Sequence, residues 1–184
     1  MGKIYLTSDL HFSHDREFLY GPRGFASIQE HDEAIIARWN EVIQEDDDVY
    51  VLGDLMLNDN EHGLECLRRL NGRIHLVRGN HDTDARWKLY SELENVVELC
   101  GWSYMLRIGK RYFYLSHWPV RIGNGEEVHG PYCLHGHTHH NNAYEYIEDR
   151  CYNVNLDAHN CVPVLLDDII EEMKAKVQEC VDML

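Results

Sequence analysis

The sequence predicts an α/β fold, and three observations support that class. Short apolar runs rich in β-branched or aromatic residues alternate with amphipathic helical patterns through the first half of the chain. The second half carries a hairpin pattern instead, centred on Gly109 and Lys110. The 184 residues are enough for a well-buried core and too few for two comfortable domains. We therefore expect a single domain over residues 1–184.

The first half of the chain predicts a βαβαβ unit. Its strands are the runs Ile4–Ser8, Val49–Leu52 and Ile74–Val77, whose composition suits strands covered on both faces. Between the first two strands, Glu30–Gln44 places apolar side chains at helical spacing, and a second helix is predicted near His62–Leu70. Strands joined through helices in this way favour a parallel sheet.

The second half of the chain predicts a hairpin, further strands and a terminal helix. Trp102–Ile108 and Arg111–Ser116 form the hairpin, whose leading turn glycine, Gly109, suits type II′. Further strands are predicted near Tyr132–Leu134, Tyr152–Leu156 and Val162–Leu165. From about Asp167 an amphipathic helix follows, which we expect to pack on the sheet rather than form a dimer contact. Its apolar stripe comprises Ile169, Ile170, Met173, Val177, Cys180 and Val181.

The charge balance narrows the choice of partner. Lys and Arg total 17 and Asp and Glu total 32, which gives a net charge of −15 with neutral histidine. Affinity for nucleic acids comes largely from basic residues that neutralise phosphates, so this charge argues against an extended nucleic acid. A small phosphorylated substrate, bound at a locally positive site, fits better.

The sequence also predicts a cytoplasmic protein without membrane contact. The N-terminal apolar stretch ends at Asp9, and no apolar run approaches the length of a membrane span. The six cysteines contain no CxxC pair, and we expect them to be reduced, mostly structural thiols. The oligomeric state is left open.

Polar groups that can bind metal follow five of the predicted strands. Ligand sites in α/β sheets form at the carboxyl ends of strands, so we expect these groups to converge. Taken singly, each has an ordinary alternative, such as a helix cap, a turn or a core histidine. Repetition at five strand ends predicts a functional site. The groups are Asp9 with His11, Asp54, Asn80 to Asp82, His117, and His137 with His139.

The ordered set Asp-x-His, Gly-Asp, Gly-Asn-His-Asp, His and Gly-His-x-His resembles the calcineurin-like metallophosphoesterase superfamily. The stretches DEAIIARWNEVI, DDDVYVLGD, LSHWPV, LHGHTH and NVNLDAHNCVPVLLDDI are similar to its small bacterial and phage phosphoesterases. The resemblance covers roughly residues 3–170. It implies a calcineurin-like αββα sandwich of two mixed β-sheets flanked by helices.

The resemblance implies a site for two divalent metal ions. One ion would be held by Asp9, His11 and His139 and the other by Asn80, His117 and His137, with Asp54 bridging both. Carboxylate, amide and imidazole ligands without thiolate suit Mn²⁺, which we expect first, or Fe, Zn or Ni. A bridging carboxylate can hold two cations roughly 3.5–4 Å apart, as two-metal hydrolases require.

The implied reaction is hydrolysis of phosphodiesters, or of small phosphomonoesters, by a metal-bridging hydroxide. His81 would stabilise the transition state or protonate the leaving oxygen, a task that suits an imidazole near neutral pH. Asp82 would orient His81 or, alternatively, cap the following helix. A non-catalytic metal-binding scaffold on the same fold, a nuclease and a metal-storage protein are the alternative functions.

Four residues beside the motifs carry further expectations. His14 could approach the site as a substrate contact or behind the ligands. Arg23 could bind a substrate phosphate through its planar guanidinium, with a solvated loop position as the alternative. His135 is expected in the strand, in the core or behind the ligands, and His140 is expected to face solvent.

Overall fold

The computed structural model describes residues 2–120, 131–144 and 150–182, with side chains through residue 175. Its strands are β1 (Ile4–Thr7), β2 (Asp48–Leu52), β3 (Arg73–Val77), β4 (Val96–Gly101), β5 (Ser103–Ile108), β6 (Arg111–Ser116), β7 (Tyr132–His135), β8 (Cys151–Asn153) and β9 (Val164–Leu165). Its helices are α1 (Glu17–Tyr20), α2 (Ile28–Val42), α3 (Asn60–Arg68), α4 (Asp84–Tyr90) and α5 (Leu166–Asp182), with a short 3-10 helix at Leu156–Ala158.

The strands form two mixed sheets. The first has the order β4-β3-β2-β1-β9, with β1 to β4 parallel and β9 antiparallel to β1. The second has the order β5-β6-β7-β8, in which β5 and β6 are the predicted antiparallel hairpin and β6, β7 and β8 run parallel. Gly109 in the hairpin turn has a φ of 60°, as a type II′ turn requires.

Successive side chains along the strands of the first sheet point to opposite faces, and both faces are packed. Val49 and Val51 point to a core shared with Trp39 of α2, whereas Tyr50 and Leu52 point to a core shared with residues of the second sheet. One face of the first sheet is therefore covered by helices and the other by the second sheet. The predicted α/β fold of two mixed sheets flanked by helices is confirmed.

The predicted terminal helix packs where it was expected. In α5, Ile169, Ile170 and Met173 are buried in the core between the two sheets, and the helix contacts β1 and β9. The rest of its predicted stripe, Val177, Cys180 and Val181, lies outside the described side chains.

Some elements differ from the predictions. The short helices α1 and α4 and the half-buried strand β4 were not predicted. The strand expected over Val162–Leu165 is reduced to Val164–Leu165, because Pro163 has no N–H to donate to a ladder. The strand expected over Tyr152–Leu156 ends at Asn153, beyond which Asn155 forms a single bridge to Ser8.

Two expectations, on membrane spans and on thiols, can be compared with the structure. No helix in the described ranges combines the length and the apolar character needed to cross a membrane. No disulfide joins the cysteines whose side chains are described, which are Cys66, Cys100, Cys133, Cys151 and Cys161.

Candidate metal centre

The residues predicted to bind metal come together where loops of both sheets meet. Backbone hydrogen bonds join these loops: Asp9 N–H donates to Gly53 O at 3.0 Å, and Gly136 N–H donates to His117 O at 3.0 Å. Each loop begins at the carboxyl end of a strand. The set comprises Asp9 and His11 after β1, Asp54 after β2, Asn80 after β3, His117 after β6, and His137 and His139 after β7.

The backbone of this loop cluster is strained at the candidate ligands. Non-glycine residues seldom adopt positive φ, since each instance costs of order 1–3 kcal/mol and persists only where the surroundings enforce it. Such strain concentrates at functional sites. Positive φ occurs at Asp9 (59°), His11 (52°), Asp54 (58°), His137 (69°) and His139 (50°).

Gly53 occupies the point where three of these loops approach one another. Its φ is 92°, and a Cβ at this position would lie 2.6 Å from Gly79 Cα and 2.7 Å from His117 Nδ1. A side chain would therefore push apart the loops that carry Asp54, Asn80 and His117. The glycine of the Gly-Asp motif is required by this close approach.

A first group of candidate ligands consists of Asp9, His11 and His139. Oxygen Oδ2 of the buried Asp9 accepts hydrogen bonds from the Ser8 hydroxyl at 2.6 Å and from His137 N–H at 2.9 Å. Its other oxygen, Oδ1, has no hydrogen-bond partner among the described residues. Oδ1 lies 3.8 Å from His11 Nε2 and 3.6 Å from His139 Nε2, and these nitrogens are 3.1 Å apart. A buried carboxylate oxygen that receives no hydrogen bond from the described residues and faces two imidazole nitrogens suits a divalent cation.

A second group surrounds Nε2 of His117. This nitrogen lies 2.9 Å from Asn80 Oδ1, 3.1 Å from His137 Nδ1 and 3.4 Å from Asp54 Oδ2. The same Asp54 oxygen is 3.9 Å from His11 Nε2 in the first group. Asp54 thus reaches both groups, which is the position that a bridging carboxylate needs.

Two of the histidines have their ring orientation fixed by an acceptor. His117 Nδ1 lies 2.8 Å from Leu52 O, and His139 Nδ1 lies 2.9 Å from Asp157 Oδ2. Because a carbonyl and a carboxylate only accept, Nδ1 carries the proton in both rings. Nε2 of each ring is then directed into the centre and can bind a metal once it carries no proton, the arrangement typical of metal-binding histidines.

The electrostatics of the centre keep the Asp54 carboxylate ionised. Burial tends to raise the pKa of Asp54, but the hydrogen bond and charge of His117 outweigh it and lower that pKa. Burial alone would lower the pKa of His117, which Asp54 and Asp9 instead raise to about 9. Burial, followed by the charges of His139 and Arg23, lowers the pKa of His11 well below its ordinary value. Metal binding near neutral pH would thus displace a proton from His117.

Arg23 has neither of its predicted positions. Its side chain is 1% exposed, and its guanidinium donates from Nε and Nη2 to the two oxygens of Asp157, both at 2.9 Å. Nη2 also donates to Asp9 O at 2.9 Å. A guanidinium with these fixed acceptors is neither solvated nor available to a substrate phosphate, because the Asp157 carboxylate already occupies its bidentate fork.

The contacts of Asp82 match neither of the roles predicted for it. Its buried carboxylate accepts from the N–H groups of Gly79 at 2.8 Å and Asp54 at 2.9 Å, and from the Tyr90 hydroxyl at 3.0 Å. These contacts tie together the loops after β2 and β3 instead of orienting the His81 ring. The side chain of Thr83, not Asp82, caps α4.

His81 and His14 lie on the open side of the centre. The His81 side chain is 41% exposed, and its Nε2 is 3.9 Å from Asp54 Oδ2, while its backbone N–H donates to Asp54 Oδ1 at 2.8 Å. The His14 ring lies 5.1 Å from the His11 ring and 6.2 Å from that of His81. Both line a cleft of about 500 Å³ that also contains His11, Phe18, His139 and Asp157.

The two remaining histidines of the stretch CLHGHTHH match their expectations. His135 is fully buried in β7, and its Nδ1 lies 2.9 Å from Gly136 O. His140 is exposed, and its Nδ1 accepts from Asn142 N–H at 3.2 Å.

Asp157 is the site residue that the sequence reasoning missed. It belongs to the NLDAHN segment, in which we assigned no role to any residue. Burial would raise its pKa, but hydrogen bonds from Arg23 and His139 lower it strongly, so the carboxylate stays ionised. Asp157 links the candidate ligand His139 to Arg23. The only sequence signal for Asp157 was an aspartate shortly after the last histidine motif. Its partners Arg23 and His139 lie 134 and 18 positions away, so no local pattern connects them.

At the strand ends of the two mixed sheets, the described residues therefore bring together two groups of candidate metal ligands. The family profile described as calcineurin-like phosphoesterase matches residues 2–181. The chain belongs to that family.

Individual relatives are similar to this chain over most of its length. The chain is 34% identical over 189 residues to an uncharacterised protein of Methanocaldococcus jannaschii, covering 100% of this chain and 99% of the relative. It is 29% identical to the gene 66 protein of Mycobacterium phage L5, covering 76% of this chain and 78% of that protein. A protein of unknown function from Aquifex aeolicus shares the fold, with a TM-score of 0.73 and 23% identity over 93% of this chain and 99% of that one.

Proposed function

We propose that the protein is a dinuclear-metal phosphoesterase that hydrolyses phosphodiesters or small phosphomonoesters. The observation that carries the proposal is a pair of facing imidazole nitrogens on each side of Asp54. The pairs are His11 with His139 and His117 with His137, each with its nitrogens 3.1 Å apart. Imidazole lone pairs at this distance repel one another unless a proton or a cation lies between them. Two such pairs beside one buried carboxylate suit two cations.

The residues in place fit divalent ions of the borderline class. Asp9, His11 and His139 would hold one ion, and Asn80, His117 and His137 the other, with Asp54 shared. These oxygen and nitrogen donors suit Mn²⁺, which we place first, or Fe, Zn or Ni. When bound, two such ions lower the pKa of water and neutralise the charge that develops on the phosphoryl oxygens.

The chain itself supplies the remaining chemistry. Asp54 has a lowered pKa and stays ionised, so the charge that would hold both ions is present at neutral pH. His81 is the candidate residue for protonating the leaving oxygen, because its ring is half-exposed at the cleft and lies beside Asp54. His14, which lines the same cleft, would contact the substrate.

Two clefts meet at His139 and Asp157, and they support a diester substrate. The cleft of about 500 Å³ has the apolar Phe18, 73% exposed, at its rim. A second cleft of about 740 Å³ is lined by Arg38, His140 and Asn141 among others. A phosphodiester carries two organic groups, and each cleft could accept one. Because the chain has a net charge of −15, we propose that its substrate is a small phosphorylated molecule and not an extended nucleic acid. We also propose a cytoplasmic location.

The first test is hydrolysis of an aryl phosphodiester and of the matching monoester, with Mn²⁺ and with a chelator. We expect metal-dependent cleavage by the wild type, with the diester as the better substrate. His81→Ala should keep its metal content while turnover falls roughly 10²–10⁴-fold, the usual contribution of a general acid.

His75→Ala is the matched control, because His75 lies in β3, outside both groups of candidate ligands and outside both clefts. It should leave turnover unchanged. Equal turnover in His81→Ala and His75→Ala would remove His81 from the mechanism. Absence of cleavage despite two bound ions per chain would favour the non-catalytic scaffold.

A further inference from the structure

A second cluster of metal-binding groups lies outside the centre described above. Asp32 of α2 faces His62 and Cys66 of α3, and ligand atoms from the three side chains all lie within 4.8 Å of one another. His62 and Cys66 are four residues apart and share one face of α3, so they point to the same partner. The cluster contains one carboxylate, one imidazole and one thiol.

The distances within the cluster match the edges of a zinc coordination tetrahedron. Zn–N and Zn–O bonds of 2.0–2.2 Å and Zn–S bonds of 2.3 Å place tetrahedral ligand atoms roughly 3.3–3.7 Å apart. His62 Nε2 lies 3.2 Å from Asp32 Oδ2 and 3.6 Å from Cys66 Sγ. Two of the three edges are therefore already close to the lengths that an ion would require.

The charge at Asp32 also favours a cation. The side chain is only 1% exposed, and the groups within ion-pair distance are histidines, His31 Nδ1 at 2.8 Å and His62 Nε2 at 3.2 Å. His31 Nε2 accepts from the Arg23 guanidinium at 2.9 Å, so this nitrogen carries no proton and the ring is neutral. A buried carboxylate is costly unless a positive charge compensates it.

We propose that Asp32, His62 and Cys66 form a separate Zn²⁺ site, with solvent as the fourth ligand. Zinc accepts this mixture of oxygen, nitrogen and sulfur donors, whereas the sulfur-free centre suits harder ions as well. His62 is 40% exposed, which places the open coordination position at the surface. Binding converts the Cys66 thiol to a thiolate and releases its proton to solvent.

A bound ion would stabilise structure close to the candidate metal centre. Asp32 Oδ2 also accepts from Ser13 N–H at 3.0 Å, in the loop that carries His11. Through Oδ1, Asp32 contacts His31, whose Nε2 lies 2.9 Å from Arg23 Nη1. A bound ion would hold α2 and α3 to this loop. Occupancy should therefore raise the thermal stability of the protein.

The test is a Co²⁺ titration of the metal-free, fully reduced protein, followed by absorption spectroscopy. Co²⁺ replaces zinc in tetrahedral sites, and its bond to a thiolate gives a charge-transfer band in the near ultraviolet. The candidate centre contains no sulfur ligand, so the band reports only the new site. We expect the band in the wild type, with three ions bound per chain, and its loss when Zn²⁺ is added.

Two variants and one control decide the outcome. Cys66→Ser should lose the band and one ion, while Cys100→Ser, which changes a cysteine outside the cluster, should retain both. His62→Ala removes a half-exposed ligand and should weaken formation of the band by at least about tenfold, since even a residue that only orients a ligand contributes about that factor. The proposal is overturned by a wild type without the band, by a band that persists in Cys66→Ser, or by an unchanged titration in His62→Ala. Because the band does not depend on hydrolysis, failure of the proposed phosphoesterase activity would leave this result readable.

Discussion

The two halves of the candidate metal centre are supported in different ways. On one side, His117 donates to the backbone carbonyl of Leu52, and the Asp54 carboxylate accepts from the backbone N–H of His81. On the other side, His139 donates to a side chain, Asp157, which is held in turn by the buried Arg23. The first half depends on loop backbone and the second on an ion pair.

This difference determines how each half responds to change. Backbone donors and acceptors are set by the course of the loops and survive most substitutions. The side-chain support joins residues 134 positions apart, Arg23 and Asp157, and can be removed by a single mutation. The half built around His139 should therefore be the more easily broken of the two.

The largest effect is expected from Arg23→Ala. The change leaves the mostly buried Asp157 carboxylate, 14% exposed, without its bidentate partner, which should lower the free energy of unfolding by about 3–5 kcal/mol. Urea unfolding of the metal-free protein measures it. Arg69→Ala removes an arginine from an exposed pair with Glu33 and should cost less than about 1 kcal/mol. Equal losses of unfolding free energy in the two variants would show that the Arg23–Asp157 pair stabilises the protein no more than an exposed ion pair does.

Asp157→Asn should weaken metal binding roughly 10–100-fold at one of the two positions. The substitution removes the carboxylate that orients His139, and partners of this kind typically contribute that factor. Stepwise Mn²⁺ titration should show one ion lost early and the other retained. Asp84→Asn, at an exposed position, is the control and should bind as the wild type does. Equal weakening of both ions would mean that the two halves are not independent.

The smallest effect on metal affinity is expected from Tyr90→Phe. It removes the hydroxyl that donates to Asp82 and should cost about 1.5–3 kcal/mol of stability, the value for a hydrogen bond to a charged group. Metal affinity should stay within about twofold of wild type, because backbone N–H groups of Gly79 and Asp54 still hold that carboxylate. A loss of affinity as large as that of Asp157→Asn would contradict the contrast between the halves.

Most of the fold could be predicted from the sequence because its strands are strongly patterned. The five elements predicted before residue 78 lie within two residues of their observed bounds. The elements that were missed have weak local signals. Helices α1 and α4 are only four and seven residues long, and β4 is half-buried at a sheet edge, so none shows a full hydrophobic period.

The candidate site shows the same division between local and distant information. Asp54 and Asn80 were located by their position after buried strands, which short-range pattern reveals. The contacts of Arg23 and Asp82 differ from the expected ones, because contacts depend on where a side chain points and what it meets. The partner of Arg23 is Asp157, and no spacing rule connects the two.

The cluster of Asp32, His62 and Cys66 illustrates an intermediate case. The spacing of His62 and Cys66 on a predicted helix was visible, yet it has many ordinary explanations. The third group, Asp32, lies on another helix, and only the packing of α2 against α3 brings it near. Tertiary packing, not local pattern, creates this site.

The most direct test of a two-metal centre is a crystal structure of the protein grown with Mn²⁺, with ions located by anomalous scattering. The account predicts two ions, one among Asp9, His11 and His139 and one among Asn80, His117 and His137. Asp54 should contact both. A single ion, or two ions of which neither touches Asp54, would contradict the proposed centre.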